Sequence, residues 1–559
     1  MPTETAQLET PASVETLSAE IHALRVINAE LQTQNQQLQH DVILLQRKLY
    51  GARTERQSTE EQQSLFADIA ATEARLQAAL REAQAQVSTG GDSEGNRSTR
   101  SSPPKGRRDV SQSTLPRVTV EVPDARLEAQ GLKRTGVDTT YEIVGHKASY
   151  SVLVKNTIRY ADTRPTAETA TVSAQQPPRV CPKSLFHESV LAKVVTEKFG
   201  LGTTLYRLEK HMATHDVPMD RGTMSRHIEQ IGNTLGATVV AAMFRHAKAT
   251  AHVMSTDATG AWILPEPSQV KATSGARVAK RCSKGHFFTV VIDADAVLFF
   301  YERDHTQIAV QRLFEGYRGY LQADASSVYH LLEHGPPTVD GNEALITLVG
   351  CWAHCRRYFF EAAQCRYPQG LDGLLRVAAI FSADKPLWKL PAAERHAARA
   401  RQVAPLVDSF FAWVREQRQA MPMAARNLAS RALGYAANQE AELCRVLGDP
   451  HLPLDNTRAE RALRTPVISR KNSLFHGSDT HAEAAAAIFS LLQTCRLHQI
   501  DPQSYFEEVL RLLPQWPNDR YLELAPNFWR DTRARIPPGQ LASPLCWFSI
   551  PEPIATASA

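Results

Sequence analysis

The chain has 559 residues, which is enough for several domains that each bury a core, and its formal net charge is only +4. This small charge neither supports nor excludes nucleic acid as a partner, so local clusters of basic residues must decide that question. Eight cysteines lie between Cys181 and Cys546 without the spacing of a disulfide framework, which fits a reducing compartment. Because the N-terminus is polar and no apolar run is long enough to span a bilayer, we expect a cytoplasmic protein without a membrane partner.

The N-terminal region carries an unbroken leucine heptad. Leucines recur at every seventh position, at Leu17, Leu24, Leu31, Leu38 and Leu45. The matching a positions hold Val14, Ile21, Asn28, Asn35 and Val42. Leucine at d with β-branched residues and asparagine at a favours a parallel two-stranded coiled coil. We therefore predict a coiled coil over residues 13–50 that makes the protein a homodimer or a higher oligomer; the alternative is an amphipathic helix within one chain.

A helical segment is expected over residues 51–87, followed by a flexible linker over residues 88–116. The linker is rich in serine, glycine, proline and arginine, so its cations either contact phosphates or remain solvated. Residues 117–183 have the pattern of short strands.

Residues 184–249 are predicted to be helical. Val217-Pro218 marks a turn, and Asp220 is placed to cap a second helix over residues 222–231. This layout is typical of a helix-turn-helix, whose second helix would enter a major groove, although many helical hairpins are purely structural. Four side chains are candidate DNA contacts: Tyr206, Arg207, Arg221 and Arg226.

Residues 250–365 are predicted to form the first part of an α/β core. The runs FFTVVID (287–293) and AVLFFYE (296–302) are continuously apolar and indicate strands buried on both faces. Two acids stand in or after strand-like runs, Asp257 in AHVMSTDATGAWIL and Asp324 in YRGYLQADASSVYHLL. A fifth strand running into a helix is expected within residues 344–362.

A late helix places an acid among cations. In DNTRAERALRTPVISRKNSLFHGSDT, Glu460 is surrounded in sequence by Arg458, Arg461, Arg464, Arg470 and Lys471. Such an acid suits a metal-binding carboxylate that works beside a phosphate backbone. The alternative is a solvated helix face with ion pairs between neighbouring turns.

The order of strands and helices, with acids at strand ends and on a late helix, resembles the ribonuclease H-like fold of DDE transposases and integrases. The segments YLQADASSVY, GCWAHCRRYFFEA and DNTRAERALRTPVISRKNSLFHGSDT closely resemble the insertion sequence 66 family of bacterial transposases, of the TnpC type. The likeness extends from about Leu49 to Pro514. It implies an α/β fold with a ribonuclease H-like catalytic core interrupted by a helical insertion, an N-terminal coiled coil and a helical DNA-binding region.

The resemblance also implies a catalytic site. Asp257, Asp324 and Glu460 match the family's three catalytic acids, which would hold Mg²⁺, with Mn²⁺ able to substitute. The family usually has Glu-Thr after the first acid, where this chain has Ala258-Thr259, and often has Gly after the second, where this chain has Ala325. Neither change removes one of the three acids. The expected activity is strand cleavage and strand transfer at the terminal inverted repeats of an insertion element. Double-stranded DNA, both element ends and target, is therefore the expected partner, and companion proteins encoded in the same element are possible further partners.

Several further expectations follow from the resemblance. DNA phosphates near the acids are expected to contact His354, Arg458, Arg461, Arg470 and Lys471, although such cations also serve as surface ion pairs or helix caps. The family's small zinc module has paired cysteines, but no cysteine precedes Cys181 here, so we expect a degenerate module over 117–183 without zinc. The helical insertion is expected over 366–453, the second part of the core over 454–500, and a C-terminal extension over 501–559. The tail after Gln515 is expected to lie extended, either on a partner or on the core.

Two rival functions remain at this point. One is a catalytically silent DNA-binding or regulatory derivative, and the other is a metal nuclease that cuts without joining. The sequence has no GxxxxGK[ST] loop, HExxH motif or Gly-x-Ser-x-Gly elbow, so it gives no support to ATP use or to these hydrolase classes. An enzyme acting on DNA in a bacterial cytoplasm is expected to associate with the nucleoid.

Residues 10–50 as an isolated peptide should be helical and dimeric, because the leucine heptads give each helix an apolar seam that a partner helix buries. Replacing Leu24 and Leu31 with proline should abolish both properties, since proline in a helix interior costs about 3 kcal/mol or more. Sedimentation velocity at high micromolar peptide concentration measures the outcome. A purely monomeric unsubstituted peptide would contradict the prediction.

Overall fold

The computed structural model describes residues 111, 113, 115–131, 133–145, 149–161, 171–265, 282–334, 346–421, 427–544 and 547–554. The predicted coiled coil, the helical segment after it and most of the basic linker lie outside the described residues. The chain divides into two compact units. Among the described residues, the smaller unit contains His354–Glu440, and the larger unit contains the rest. None of the described helices combines the length and apolar character needed to cross a bilayer.

The larger unit begins with a four-stranded sheet of β1 (Arg117–Val122), β2 (Lys133–Gly145), β3 (Tyr150–Ala161) and β4 (Val172–Ser173). A short helix, α1 (Ala125–Ala129), lies between β1 and β2. β3 pairs in parallel with β1 and antiparallel with β2 and β4. The prediction of short strands is wrong for β2 and β3, which have 13 and 12 residues. Both are rich in β-branched and aromatic residues, which favours long pairing.

A buried ion cluster joins this sheet to the next helix, α2 (Glu188–Val195). Nζ of Lys155 lies 2.6 Å from Oε1 of Glu142. The Arg179 guanidinium contacts Glu142 and also Glu188, the latter at 2.8 Å. It further donates to the backbone carbonyl of Phe186 at 2.7 Å. One arginine therefore connects β2, the segment before α2 and α2 itself.

Cys181 is buried near this cluster. Burial, followed by the negative charge of Glu188, raises the pKa of its thiol to about 12.

The predicted helical region contains α3 (Leu205–Ala213), α4 (Arg221–Leu235) and α5 (Ala241–Thr250). The predicted turn before α4 and its cap are confirmed, since the Asp220 carboxylate accepts a hydrogen bond from the Thr223 amide at 2.9 Å. The predicted end at residue 231 is wrong, because α4 continues to Leu235 and then, through the π-helical segment Gly236–Val240, into α5. The buried face of α4 packs so closely on a later helix that a side chain at Gly232 would collide with the backbone of Ala484.

The central sheet has the strand order β7-β6-β5-β8-β9. Its strands are β5 (Val253–Ile263), β6 (Ser283–Ile292), β7 (Ala296–Glu302), β8 (Gly319–Gln322) and β9 (Ile346–Val349). β6 is antiparallel to both β5 and β7, whereas β8 is parallel to both β5 and β9. Two helices lie between these strands in sequence, α6 (Gln307–Phe314) and α7 (Leu331–His334). The strands predicted from the two apolar runs are confirmed as β6 and β7.

The second part of the larger unit supplies α14 (Thr457–Asn472), the short strand β10 (Phe475–His476) and α15 (Asp479–Leu497). β10 pairs in parallel with the end of β5. α15 satisfies the open edge of β7, because the Phe299 amide donates to Ser490 Oγ at 2.7 Å and the Val297 amide donates to Thr494 Oγ1 at 3.1 Å. An edge strand whose amides are bonded by helix hydroxyls cannot recruit a foreign strand there.

The smaller unit is helical. It contains most of α8 (Trp352–Gln364), from His354 onward. The helices that follow are α9 (Pro368–Asp384), α10 (Ala392–Gln402), α11 (Ala404–Ala420) and α12 (Leu428–Asn438). A buried ion pair joins α9 to α10, with Arg399 Nε 2.7 Å from the Asp384 carboxylate. The larger unit resumes at Ala441 with α13 (Glu440–Cys444), whereas the sequence predicted the end of the helical insertion at residue 453.

The C-terminal extension is folded as part of the larger unit, and its tail after Gln515 is largely helical, so the expectation of an extended tail is wrong. It forms α16 (Pro502–Leu512), α17 (Pro526–Ala534) and α18 (Pro538–Ala542), with 3-10 turns between them. Tyr505, Phe506 and Trp529 are buried in the main core, and the Tyr505 hydroxyl donates to the Leu524 carbonyl at 2.8 Å. Burial of these aromatic rings stabilises helix where proline and tryptophan content alone suggested an extended chain.

Replacing Arg179 with alanine should destabilise the protein by about 3–5 kcal/mol, because two buried carboxylates lose their guanidinium partner. Arg159 is the matched control, since its ion pair with Asp138 at 3.0 Å is about half exposed. Its replacement by alanine should cost less than about 1 kcal/mol. Urea unfolding measures the free energy of unfolding of both variants. Equal losses of this free energy would contradict the role assigned to Arg179.

Candidate functional site

Asp257 in β5 and Asp324, two residues after the end of β8, both follow a pair of residues that face each other across parallel strands. Ser255 of β5 is opposite Gln322 of β8. Asp257 comes two residues after Ser255, and Asp324 comes two residues after Gln322. Ala323 extends the ladder by donating its amide to the Val349 carbonyl at 3.3 Å. Because adjacent strands are about 4.8 Å apart, the segment that carries Asp324 leaves β8 beside the part of β5 that carries Asp257.

Glu460 lies in the first turn of α14. Asn456, which precedes this helix, is fully buried, and its Nδ2 donates to the backbone carbonyl of Thr256 at 2.6 Å. Thr256 is the neighbour of Asp257 in β5. This single hydrogen bond therefore places the start of the helix that carries Glu460 against the strand residue that precedes Asp257.

A second buried amide holds the segment that leads into α14. Gln322, at the end of β8, donates from Nε2 to the Pro453 carbonyl at 2.8 Å. Its Oε1 accepts a hydrogen bond from the Ser255 hydroxyl at 3.4 Å. The amide of Trp352 donates to the Leu454 carbonyl at 2.9 Å. β5, β8 and the start of α8 thus all bind residues 453–456.

Asp257 and Asp324 both raise the pKa of the Tyr329 hydroxyl. Tyr329 is buried, and burial, followed by the negative charges of Asp324 and Asp257, raises the pKa of its hydroxyl far above the usual range. Its hydroxyl therefore stays protonated beside the two carboxylates. Each aspartate also accepts a local backbone hydrogen bond, Asp257 from Ala258 at 2.8 Å and Asp324 from Ser326 at 3.2 Å.

The donor set suits a hard cation, since Mg²⁺ prefers carboxylate oxygens and water. In the part of the chain that the structure describes, however, no three acidic, histidine or cysteine side chains are close enough to hold one metal ion. The structure brings Asp257 and Asp324 together and places Glu460 one helical turn from the bond between Asn456 and Thr256.

The predicted cations of α14 divide into two groups. Arg458, Arg461 and Lys471 are exposed, which leaves them accessible to a phosphate backbone. Arg470 is half-buried, and its guanidinium donates to the backbone carbonyl of Gly260 in β5. In this structure Arg470 fastens the end of α14 to the sheet, which is a structural role that the sequence did not indicate.

The predicted DNA contacts in α3 and α4, which we call the helix pair, lie at the protein surface. Arg207, Arg221 and Arg226 are exposed, and the Arg221 guanidinium lies 5.9 Å from the centre of the Tyr206 ring. The buried side of α4 faces α15, so only its outer side is open to a ligand. His354 lies in α8, at the first position of the smaller unit.

Sequence reasoning missed Asn456, Gln322 and Tyr329. The signals were present, because Gln322 and Tyr329 flank Asp324 within YLQADASSVY and Asn456 follows Asp455 directly. A polar amide at the end of an apolar strand needs a buried partner, and that requirement could have indicated a positioning role.

Comparison with known proteins gives matches along most of the chain. The family model described as Transposase IS66 family matches residues 183–484, and the one described as IS66 C-terminal element matches residues 490–527. A third model, described as Transposase C of IS166 homeodomain, matches residues 37–120.

Three curated relatives come from Sinorhizobium fredii. The chain is 26% identical over 526 residues to the uncharacterized protein y4qI, covering 92% of this chain and 93% of that protein. It is 26% identical over 369 residues to the uncharacterized protein y4hP, covering 63% and 64% of the two chains. It is 23% identical over 360 residues to the uncharacterized protein y4jD, covering 64% and 68%. The match therefore spans less than two thirds of y4hP and nearly all of y4qI.

Replacing Asn456 with alanine should lower the free energy of unfolding by about 1–3 kcal/mol, because the buried Thr256 carbonyl loses its donor. Asn472 offers a matched control, since its Nδ2 donates to the Gly202 carbonyl at 2.9 Å but in an exposed position. Its replacement by alanine should cost less than about 1 kcal/mol, because water replaces the bond. Chemical denaturation compares the two, and a larger loss at Asn472 would overturn the ranking.

Proposed function

Because the chain belongs to the IS66 family of transposases, we propose that it is a DDE-type enzyme that moves an insertion element. It binds the terminal inverted repeats of the element, cleaves DNA at the element ends in a Mg²⁺-dependent reaction, and joins the 3′ ends to a target. Mn²⁺ substitutes for Mg²⁺. The observation that carries this proposal is the parallel pairing of β5 with β8, which places Asp257 next to the segment that carries Asp324, with α14 bonded beside them.

We assign the central sheet to the ribonuclease H-like class. Supporting this assignment, three antiparallel strands are followed by two parallel ones, and the first strand stands in the middle of the order β7-β6-β5-β8-β9. The helical unit separates the strands from the helix of the third acid in sequence, which fits an insertion within one catalytic core.

The reaction needs no nucleophile from the protein. An oxygen of water, or later of a 3′ hydroxyl, attacks phosphorus, and the opposite P–O bond breaks with its electrons leaving on the departing oxygen. Asp257, Asp324 and Glu460 would hold Mg²⁺, which supplies positive charge at the phosphate and lowers the pKa of bound water. Asn456 and Gln322 act indirectly, because they fix the chain that places Glu460 relative to the two strands.

The surface provides the means to hold DNA. One set of exposed cations lies on α14 around Glu460 and consists of Arg458, Arg461 and Lys471. A second set lies on the helix pair and consists of Arg207, Arg221 and Arg226. We assign the first set to phosphates near the cleaved bond and the second to the element end. The predicted dimer would hold two element ends in one assembly, and companion proteins of the same element would join it.

Asp257→Asn, Asp324→Asn and Glu460→Gln should each remove most cleavage of a labelled element end at saturating Mg²⁺, because each removes a charge that the cation requires. Combining two of them should cost little more, since residues that act as a unit are strongly non-additive. Binding of the DNA should survive. Asp304→Asn is the control, because this aspartate is exposed and lies just after β7.

Cleavage and strand transfer are measured in the same assay, and this separates the rival functions. Cleavage without joined product indicates a nuclease. Binding without cleavage by the unsubstituted protein indicates a silent regulatory derivative. Near-normal cleavage by Glu460→Gln would remove Glu460 from the site.

A further inference from the structure

The outer side of α14 forms a continuous basic path. Glu460, Arg464 and Lys471 are separated by four and seven residues, spacings that return to the same side of a helix. Arg464 and Lys471 are exposed, as is Arg461 beside them. At a rise of 1.5 Å per residue, the path from Glu460 to Lys471 is about 16 Å long. We refer to Arg461, Arg464 and Lys471 as the basic path.

An exposed pair of aromatic rings lies beyond the end of this helix. Phe475 of β10 is directly opposite Trp262 of β5 in a parallel pairing, so the two side chains leave the sheet on the same face. Trp262 is 42% exposed and Phe475 is 44% exposed. Large apolar side chains at the surface are unremarkable singly, but two adjacent rings form a surface that a flat ligand can cover. We refer to Trp262 and Phe475 as the aromatic pair.

The basic path and the aromatic pair are structurally connected. Arg470 binds the carbonyl of Gly260, which is two residues before Trp262 on the same face of β5. Lys284 of β6 is opposite Trp262 and exposed, and its side chain lies over Gly260, where a Cβ would stand 2.7 Å from its Cε. Cations therefore flank the aromatic pair, with Lys284 opposite Trp262 on β6 and Lys471 in the last turn of α14, four residues before Phe475 in sequence.

We propose that the aromatic pair stacks against unpaired bases of a DNA strand whose phosphates follow the basic path. This inference rests on the proposed function, because it extends the DNA surface away from the catalytic acids. Aromatic rings bind any base through its π face, and flanking cations bind the backbone, which is the arrangement typical of single-strand binding. The flanking cations favour a nucleic acid over an apolar protein segment as the occupant.

The test uses the full-length protein, without divalent metal, and two fluorescein-labelled strands of about twelve nucleotides. One is an oligothymidylate, and the other is an abasic strand with the same phosphates and no bases. Trp262→Ala should weaken binding of the oligothymidylate roughly tenfold, because a stacking contact is lost, and should leave binding of the abasic strand unchanged. Trp262→Phe keeps an aromatic ring and should retain most of the affinity. Trp547→Ala is the matched control, since Trp547 is 51% exposed in the C-terminal extension.

The basic path is tested with the same strands. Arg464→Gln combined with Lys471→Gln should weaken both strands equally and reduce the salt dependence of binding, since fewer counterions are released. Equal losses for the two strands in Trp262→Ala, or no loss for either, would overturn the proposal. So would a change in sedimentation of Trp262→Ala with both affinities unchanged, because that result assigns the aromatic pair to a contact between protein chains.

The outcome is independent of catalysis. A preference for the oligothymidylate that depends on Trp262 supports the aromatic pair even if Glu460→Gln cleaves normally, in which case only the assignment of the catalytic site fails. Loss of cleavage in Glu460→Gln together with Trp262-independent binding leaves the catalytic proposal intact and removes the aromatic pair.

Discussion

The parallel pairing of β5 with β8 is the constraint on which the rest of the site depends. It places the segment that carries Asp324 next to the part of β5 that carries Asp257, although 67 residues separate Ser255 from Gln322, the last pair of the register. A shift of the register by one residue would turn Ser255 and Gln322 to opposite faces of the sheet and break the hydrogen bond between them. The strands are held in register by an almost wholly buried β5 start and by hydrogen bonds to both neighbours, β6 and β8.

Buried polar side chains form hydrogen bonds with backbone groups at the sheet and in the segment before α14. Asn456 and Gln322 bond the chain that enters α14 to the ends of β5 and β8. At the opposite edge, Ser490 and Thr494 bond the backbone of β7. An amide or hydroxyl buried without a partner is costly, so each of these bonds specifies one position of a helix on the sheet. The surrounding apolar contacts also stabilise the core, but they are not directional, so they specify the position of a helix less strictly than hydrogen bonds do.

The same separation of roles appears among the charged residues. Arg179, Arg399 and Arg470 are directed inward and bind carboxylates or a carbonyl, whereas Arg461, Arg464 and Lys471 point to solvent. A buried guanidinium fixes the structure because removing it leaves an unpaired charge or carbonyl. An exposed cation contributes little to stability and remains available for a phosphate. Burial therefore distinguishes the cations that hold the fold from those that can bind DNA.

The sequence by itself determined the elements and the family. Apolar runs indicated β6 and β7, the turn chemistry at Asp220 indicated the start of α4, and the motifs around Asp324 and Glu460 indicated an IS66 transposase. These features are local, so short windows of sequence contain them. The sequence did not indicate the length of β2 and β3, the folded C-terminal extension or the inward direction of Arg470. It also gave no sign that Phe475 lies beside Trp262, since 213 residues separate the two rings. Such contacts are decided by tertiary structure, because the pairing of distant strands and the burial of one particular side chain depend on the whole chain closing around them.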